Sequence, residues 1–336
     1  MAPFAWPEKI EFVHSDEPGL ARRRCGRGFV YLTQKGRRVA NRTTLARISA
    51  IAIPPAWSSV WIAASAHAHL QATGRDARRR KQYRYHPVWA DRRRRANYDR
   101  LVDFGRALPS IREFIDAGLR RPWLDKDRVL ALALRLLDTG MIRIGNDEYL
   151  KHNGSRGLTT LHKRNVEIDG GEIKLHFSGK GGVDYELSMQ DVRAARALRR
   201  CHELPGQRLF RYVTEDGEVR AIGSSDINAQ LEQLTGRNFT AKDFRTWAGT
   251  VLAFEELRAR EPGSTAADTA RIVNHVCTLT ASVLGNTLAV CKRYYIHPRV
   301  IEAFAAGKLA SAKRARARSR MTAVEVALLR FLGRAR

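Results

Sequence analysis

Four segments of the chain combine tyrosine, arginine and lysine with glycine-containing turns. They are MIRIGNDEYLKHNGSRGLTTL (141–161), HFSGKGGVDYEL (176–187), KDFRTWAGT (242–250) and LGNTLAVCKRYYIHP (284–298). Phosphoryl transfer without a metal ion needs a side-chain nucleophile, cations that neutralise the transition state, and a proton donor for the leaving oxygen. These segments contain all three kinds of group, so they are the candidates for such chemistry.

Other phosphate and hydrolytic chemistries lack their motifs in this sequence. It contains no GxxxxGK[ST], HExxH or GxSxG pattern and no acidic cluster suited to Mg²⁺. Its cysteines are scattered without metal-ligand spacing, which is typical of a reduced compartment: Cys25, Cys201, Cys277 and Cys291. The sequence therefore predicts no metal site and no required cofactor.

The charge balance indicates a polyanionic partner. Lys and Arg number 60 against 34 Asp and Glu, a net charge of +26, while 44% hydrophobic residues suffice for a core. Nucleic acid is the expected partner, although a GC-rich genome also favours arginine. The start of the chain has no export-signal pattern, and no window approaches the ~18 apolar residues of a membrane span. We therefore expect a cytoplasmic, nucleoid-associated protein.

The basic residues are concentrated between Arg75 and Arg100. Eleven basic residues face three acidic ones there, interleaved with Tyr83, Tyr85 and Trp89. A charge run is often a solvated face or a linker, but the aromatic side chains favour a nucleic-acid surface.

Composition and periodicity predict two domains. Residues 1–88 form a β-rich domain, with strands in GRGFVYLTQKG and SSVWIAAS and a short helix that ends before Pro54. Residues 89–105 form a basic linker, residues 106–307 a mainly helical domain, and residues 308–336 a basic helical tail. The tail is either a solvated helix or an additional DNA contact.

Within the helical domain, RVLALALRLLDTG predicts a helix that ends at Gly140. A three-stranded section follows, made of GLTTL with NVEI, then EIKLHFS, then VDYELS. The last two flank the glycine-rich turn 179–182, which predicts a hairpin.

In their order and spacing the four segments, with GRDARRRKQYRYHPVW (74–89) upstream, resemble the type IB DNA topoisomerases of poxviruses and bacteria. The resemblance covers residues 20 to 307. It implies an α+β fold: a two-lobed clamp around duplex DNA, with a β-rich N-terminal domain and a helical catalytic domain of the tyrosine recombinase/type IB topoisomerase fold carrying a small antiparallel sheet. It also implies a monomer that relaxes supercoils of both signs by cleavage, rotation and religation of one strand, without ATP or metal.

The resemblance also implies residue roles. Tyr295 matches the nucleophile that forms a 3′-phosphotyrosine, Arg143 and Arg245 match the phosphate-binding arginines, and Lys180 matches the general acid. Asn286 stands where many relatives have histidine, and its amide is expected to donate a hydrogen bond to the phosphate. The expected DNA-contacting residues are Gln82, Tyr83, Tyr85, Arg78, Arg79, Arg80, Lys81 and Tyr149.

Several alternatives remain open from sequence. Tyr294 is the other candidate nucleophile, although the family spacing favours Tyr295. A tyrosine recombinase shares the chemistry, but its N-terminal half is usually helical and it usually has a histidine at the position of Lys242. A non-enzymatic DNA-binding protein accounts for the charge but not for the ordered motifs, and an inactive relative is a further alternative.

Overall fold

The chain divides into two units, Met1–Asn97 and Tyr98–Arg336. A computed structural model describes residues 4–310 and 315–333, apart from the side chains of Tyr149, His152 and Asn153. The predicted mixture of a β-rich N-terminal part and a helical second part is confirmed.

The first unit is built on a five-stranded antiparallel sheet. Its strands are β1 (Gly19–Cys25), β2 (Gly28–Leu32), β3 (Ser58–Ala63), β4 (Leu70–Arg75) and β5 (Lys81–Tyr85), in the order β2-β1-β3-β4-β5. Helix α1 (Arg42–Ile51) begins at Asn41, whose side chain accepts a hydrogen bond from the Thr44 amide. Ile48 and Ile51 of this helix pack on the apolar face of the sheet.

Helix α2 (Pro87–Arg120) contains the whole of the predicted linker, residues 89–105. Proline is compatible with the first position of a helix, because a backbone N–H there would have no intrahelical acceptor and its absence in proline costs no hydrogen bond. Leu101, Phe104, Leu108 and Ile111 recur at helical spacing and are fully buried. This periodicity makes the basic stretch the beginning of a long helix.

The second unit is mainly helical. Its further helices are α3 (Lys126–Gly140), α4 (Asp147–Asn153), α5 (Val192–Glu203), α6 (Ser224–Thr235), α7 (Ala241–Arg258), α8 (Ala266–Leu284), α9 (Leu288–Tyr294), α10 (Pro298–Ala305) and α11 (Ala323–Gly333). Strands β6 (Val166–Asp169), β7 (Glu172–Ser178) and β8 (Asp184–Gln190) form an antiparallel sheet in sequence order, and β9 (Arg211–Val213) pairs with β10 (Val219–Ala221). Helix α3 is buried on nearly all sides and lies at the centre of this unit.

One prediction of local structure is wrong, and one hairpin was not predicted. GLTTL was expected to be a strand, but Leu158–Thr160 is a buried 3₁₀ turn. The Thr160 hydroxyl accepts from the Gly157 amide at 2.9 Å, so a local side-chain bond replaces strand pairing. The β9–β10 hairpin was missed because each strand has only three residues, too few to show an alternating pattern.

The C-terminal part of the predicted tail packs one face of α11 into the core. Val326, Leu328 and Leu332 of α11 are at most 4% exposed and belong to the core of the second unit. The solvated-helix alternative is therefore wrong for residues 323–333. None of the described helices is long and apolar enough to cross a membrane.

Candidate active site

Arg245 lies at the centre of the candidate site. It projects from the first turns of α7, a helix that begins at Thr240, whose amide donates to the Asp243 carboxylate at 2.8 Å. The guanidinium is 2% exposed, and its two terminal nitrogens donate to the carbonyls of Met141 and Leu284. Its Nε has no hydrogen-bond partner among the described residues. A buried donor of this kind is available for an anionic ligand.

Arg143 reaches the same place from the end of α3. Met141 caps that helix in the left-handed region (φ 51°) and turns the chain toward Arg143. The Arg143 Nη2 atom donates to the Gly285 carbonyl at 2.8 Å and to Asn286 Oδ1 at 2.6 Å. Burial, followed by the charge of Arg245, lowers the pKa of Arg143. Placing two guanidinium groups close together is unfavourable because of desolvation and charge repulsion, so the pair indicates a site for an anion.

A close approach of two backbone segments fixes Arg143. A Cβ atom on Gly157 would lie 2.4 Å from the Gly145 nitrogen, so only glycine fits at this crossing. Next to it, the Leu158 amide donates to the Arg143 carbonyl at 2.8 Å. The glycines of IRIGN and GSRGL thus hold the arginine backbone in place.

Tyr295 is half-buried, and its ring lies against Arg245. The guanidinium carbon of Arg245 is 5.3 Å from the centroid of the ring. The Tyr295 carbonyl accepts from the Thr250 hydroxyl at 3.2 Å, and its amide donates to the Cys291 carbonyl at 2.9 Å. Gly249 allows this packing, because a Cβ atom there would lie 2.9 Å from the Tyr295 carbonyl oxygen. The backbone on both sides of the phenol is therefore fixed.

Tyr294 lies in a different environment. Its side chain is 41% exposed, with the Lys242 ammonium 5.9 Å and the Arg293 guanidinium carbon 5.5 Å from the ring centroid. No recorded contact joins Tyr294 to Arg143 or Arg245 in the described part of the chain. The geometry therefore favours Tyr295 over Tyr294 as the candidate nucleophile.

Asn286 uses its amide group asymmetrically. The oxygen accepts from Arg143, as above, while the nitrogen Nδ2 is buried without a hydrogen-bond partner among residues 4–310 and 315–333. Leaving a buried donor unpaired costs about 1–3 kcal/mol. The free N–H group is therefore well suited to a bound acceptor next to Arg143.

Lys180 lies at the exposed tip of the β7–β8 hairpin. Gly181 and Gly182 adopt positive φ angles of 84° and 77°, which favour glycine in this turn. Lys180 has no recorded hydrogen bond or ion pair within the described ranges, and no contact joins it to the other four candidates. The structure thus brings Tyr295, Arg143, Arg245 and Asn286 together and leaves Lys180 apart.

The base of this hairpin is anchored beside the two arginines. Tyr185 on β8 stacks on Phe177 at 5.2 Å and donates its hydroxyl to the Met141 carbonyl at 3.2 Å. The same carbonyl accepts from Arg245. The sequence did not single out Tyr185, Thr250 or Met141, because a tyrosine on a strand, a threonine in a helix and a main-chain carbonyl carry no distinctive signal.

The predicted DNA-contacting residues of the first unit lie on and beside β5. Tyr83 and Tyr85 are 46% and 41% exposed, and their rings stack at 6.1 Å. The Gln82 amide donates to Asp76 at 3.0 Å. The neighbouring basic side chains Arg78, Arg79, Arg80 and Lys81 are exposed. The side chain of Tyr149 lies outside the described residues.

We expect His297 to make the fold sensitive to acid. Burial, assisted by the charge of Arg299, lowers the pKa of His297 to about 4, whereas an unfolded histidine titrates near 6.5. Below pH 6.5 the unfolded chain gains a proton that the folded chain excludes, so the free energy of unfolding falls until about pH 4, by up to about 3 kcal/mol.

Urea unfolding at pH 7 and pH 4.5 measures this effect. The matched variant is His297→Asn, which keeps an acceptor for the Arg299 amide at the start of α10. Its loss of stability between the two pH values should be about 2 kcal/mol smaller than that of the parent. Equal losses in both proteins would contradict the role given to His297.

Comparisons with known proteins agree with this arrangement. The profile of the family described as "Eukaryotic DNA topoisomerase I, catalytic core" matches residues 86–322, and that of "Bacterial DNA topoisomerase IB, N-terminal domain" matches residues 28–76. DNA topoisomerase 1B of Acanthamoeba polyphaga mimivirus is 30% identical over 85% of this chain and 87% of its own length. DNA topoisomerase 1B of vaccinia virus (strain Copenhagen) is 26% identical over 68% of this chain and 70% of its own length. The chain belongs to the type IB DNA topoisomerase family.

Proposed function

We propose that this topoisomerase cleaves one DNA strand through Tyr295 and reseals it after rotation. The Tyr295 oxygen attacks the phosphorus, a 3′-phosphotyrosine forms, and the bond from phosphorus to the 5′-oxygen breaks. The phenolic proton goes to solvent, and the 5′-oxygen receives a proton from Lys180. The observation that carries the proposal is the Tyr295 ring 5.3 Å from Arg245, beside the Arg143–Asn286 pair.

The cations next to Tyr295 would supply the activation. An ordinary tyrosine has a pKa near 10, so it is mostly protonated at neutral pH and a weak nucleophile. Arg245 lies against the ring, and Arg143 is close enough for Tyr295 to affect its titration. Positive charge in this position would stabilise the negative charge that develops on the reacting oxygens as the tyrosine attacks.

The unpaired donors would bind the phosphate. Within the described part of the chain, Arg245 Nε and Asn286 Nδ2 are buried without hydrogen-bond partners. Arg143 donates to the Asn286 oxygen and adds a second positive charge to the site. Non-bridging phosphate oxygens gain negative charge in the transition state, and preorganised donors stabilise that charge without reorganisation. A scissile phosphate would satisfy both orphaned groups at once.

The Lys180 hairpin would bring the acid to the leaving group. Its tip has glycine on both sides of the lysine, and Lys180 makes no hydrogen bond or ion pair with the residues that the structure describes. Tyr185 anchors the base of the hairpin. An alkoxide is a poor leaving group, so a nearby ammonium accelerates its departure. Because the phosphotyrosine conserves the energy of the broken bond, we propose that resealing needs neither ATP nor a metal ion.

The first unit would hold the duplex. The exposed pair Tyr83–Tyr85 can stack or reach the backbone, Gln82 can pair with an adenine edge, and the adjacent cations can neutralise phosphates. Among the described residues no group of three or more His, Cys, Asp or Glu side chains could hold a metal ion. We propose a monomer that acts on double-stranded DNA of the nucleoid, in the cytoplasm.

Plasmid relaxation in EDTA tests the proposed function. Purified protein should convert both negatively and positively supercoiled circles into ladders of relaxed topoisomers without nucleotide. Site-dependent strand exchange would instead indicate a recombinase. Binding without any change of topology would indicate a non-enzymatic DNA-binding protein.

We expect Asn286→Ala to cause a smaller defect than Arg143→Ala. A neutral hydrogen bond contributes about 1 kcal/mol, so cleavage should slow by about fivefold, whereas loss of a charged transition-state donor costs about 10²–10³-fold. Single-turnover cleavage of a labelled duplex measures both rates. A defect of equal size in the two variants would mean that Asn286 acts mainly by holding Arg143, its hydrogen-bond partner.

A further inference from the structure

Helix α11 carries a buried carboxylate, Glu325, that is 5% exposed. It accepts from the Trp247 indole at 3.0 Å and from both terminal nitrogens of Arg112, at 2.8 and 2.7 Å. The Thr322 amide adds a fourth donor at 2.8 Å and closes the first turn of the helix. Beyond its own turn, Glu325 thus contacts α7 through Trp247 and α2 through Arg112.

Arg112 extends this contact to a second carboxylate. Its Nε and Nη2 atoms donate to Asp138 at 2.8 and 3.0 Å, and the two side chains are 16% and 6% exposed. Burial alone would lower the pKa of Arg112, but the hydrogen bonds that it donates to Glu325 and Asp138 outweigh burial and raise the pKa. One guanidinium therefore joins α2, α3 and α11 as a fixed ionic bridge.

Through Trp247 and Asp138 the network contacts α7, which carries Arg245, and α3, the helix that ends just before Arg143. Trp247 follows Arg245 by two residues on α7, so it faces away from the site toward α11. Asp138 precedes Met141 by three residues on α3, and the Met141 carbonyl accepts from Arg245. The network thus lies behind the site and connects the support of Arg143 with the helix of Arg245.

Packing around Trp247 transmits this constraint. A Cβ atom on Gly105 would lie 2.4 Å from the indole ring, so the ring is seated directly on the α2 backbone. Phe104 flanks it at a centroid distance of 6.5 Å. Trp247 is held by packing on one side and by a hydrogen bond to Glu325 on the other. These contacts restrict movement of α7 relative to α2 and α11.

We infer that Glu325 is a positioning residue that acts through Trp247 and through the Arg112–Asp138 pair to hold Arg245 and Arg143 at the scissile phosphate. The inference rests on the proposed function, which gives those arginines their role. Apolar contacts of Val326, Leu328 and Leu332 also dock α11 on the core. The buried charges would additionally fix the orientation of the helices that they join, because a charged hydrogen-bond network tolerates little displacement.

The test compares two DNA substrates. One has an ordinary scissile phosphodiester, and the other has a methyl group in place of one non-bridging oxygen, which removes the charge that the arginines neutralise. Glu325→Gln should slow cleavage of the first by about 10- to 100-fold, the cost of a displacement near 1 Å. On the neutral substrate its rate should lie within about threefold of the parent, because the arginines have less charge to stabilise. The dissociation constant for duplex DNA should stay unchanged.

Two further variants make the result specific. Val326→Ala loosens the packing of α11 without touching the network, so it should alter both cleavage rates by the same small factor. Trp247→Phe keeps the Arg112–Glu325 pair but removes the indole donor and part of the ring packed on Gly105, and it should show the charge-dependent defect in weaker form. If Glu325→Gln does not fold, Trp247→Phe decides the question.

Arg245→Ala separates this inference from the function on which it rests. If Arg245→Ala shows the charge-dependent defect and the Glu325 and Trp247 variants do not, the positioning role alone is overturned. If Arg245→Ala also cleaves both substrates with an equal defect, the proposed role of the arginines is overturned, and the inference with it.

Discussion

Tyr295→Phe should form no covalent complex with DNA and should bind duplex DNA as tightly as the parent protein. The substitution removes only the phenolic oxygen, which is the nucleophile of the proposed reaction, and keeps the ring that packs beside Arg245. Loss of an attacking group leaves no alternative route at a comparable rate, so cleavage should fall by at least about 10⁴-fold. The measurement is the SDS-resistant adduct formed with a labelled duplex, together with a binding isotherm.

Tyr294→Phe is the matched control, since it makes the same change one residue earlier. Tyr294 is exposed and contacts Lys242 and Arg293 rather than the buried arginines, so its variant should keep the adduct at a rate close to that of the parent. An adduct that persists in Tyr295→Phe and disappears in Tyr294→Phe would transfer the role to Tyr294. Peptide mapping of the parent adduct within KRYYIHP gives an independent check.

The residues of the candidate site were predictable where chemistry demands a particular side chain. A phenol, a guanidinium and an amide in ordered segments are distinctive, and the structure places Tyr295 against Arg245 and hydrogen-bonds Arg143 to Asn286 beside them. The supports of these groups were not predictable. Arg245 is held by main-chain carbonyls of Met141 and Leu284, and any residue offers a carbonyl.

Long-range polar contacts are the other part that the sequence does not reveal. Glu325 and Arg112 lie 213 residues apart in the chain, and neither occurs in a recognisable motif. The tail was ambiguous because its basic composition is equally typical of a solvated helix and of a DNA contact. Burial of Val326, Leu328 and Leu332 depends on an apolar surface formed by other helices, which local patterning does not describe.

The wrong prediction at GLTTL also arises from a contact between segments that are not adjacent in the chain. GLTTL alternates as a short strand does, but Gly157 crosses Gly145 so closely that the segment turns, and Thr160 satisfies the local backbone. Helix α2, in contrast, follows the sequence periodicity once its charged beginning is included. The GLTTL prediction therefore fails because a tertiary contact next to Arg143 outweighs the local propensity.

Lys180→Ala should slow strand cleavage by about 10²–10⁴-fold, the contribution of a positioned general acid. Lys180 is exposed on a hairpin tip and forms no hydrogen bond or ion pair with any residue that the structure describes. Its removal should therefore leave the fold intact. A duplex with sulfur in place of the bridging 5′-oxygen has a leaving group that needs no proton. On this substrate the variant should recover most of the lost rate, because the step that Lys180 assists has been removed.

Lys174→Ala is the control for charge on the same hairpin, since Lys174 is an exposed β7 residue that pairs with Glu172 at 3.4 Å. It should cleave both substrates as the parent does. Arg245→Ala should remain defective with the sulfur substrate, because phosphate charge still has to be neutralised when the leaving group is a thiolate. A Lys180→Ala defect of the same size on both substrates would mean that the ammonium acts on the phosphate rather than on the leaving oxygen. The proton for the 5′-oxygen would then have to come from another group. Lys242 is a candidate, because it is an exposed ammonium three residues before Arg245 on α7 and lies beside Tyr294.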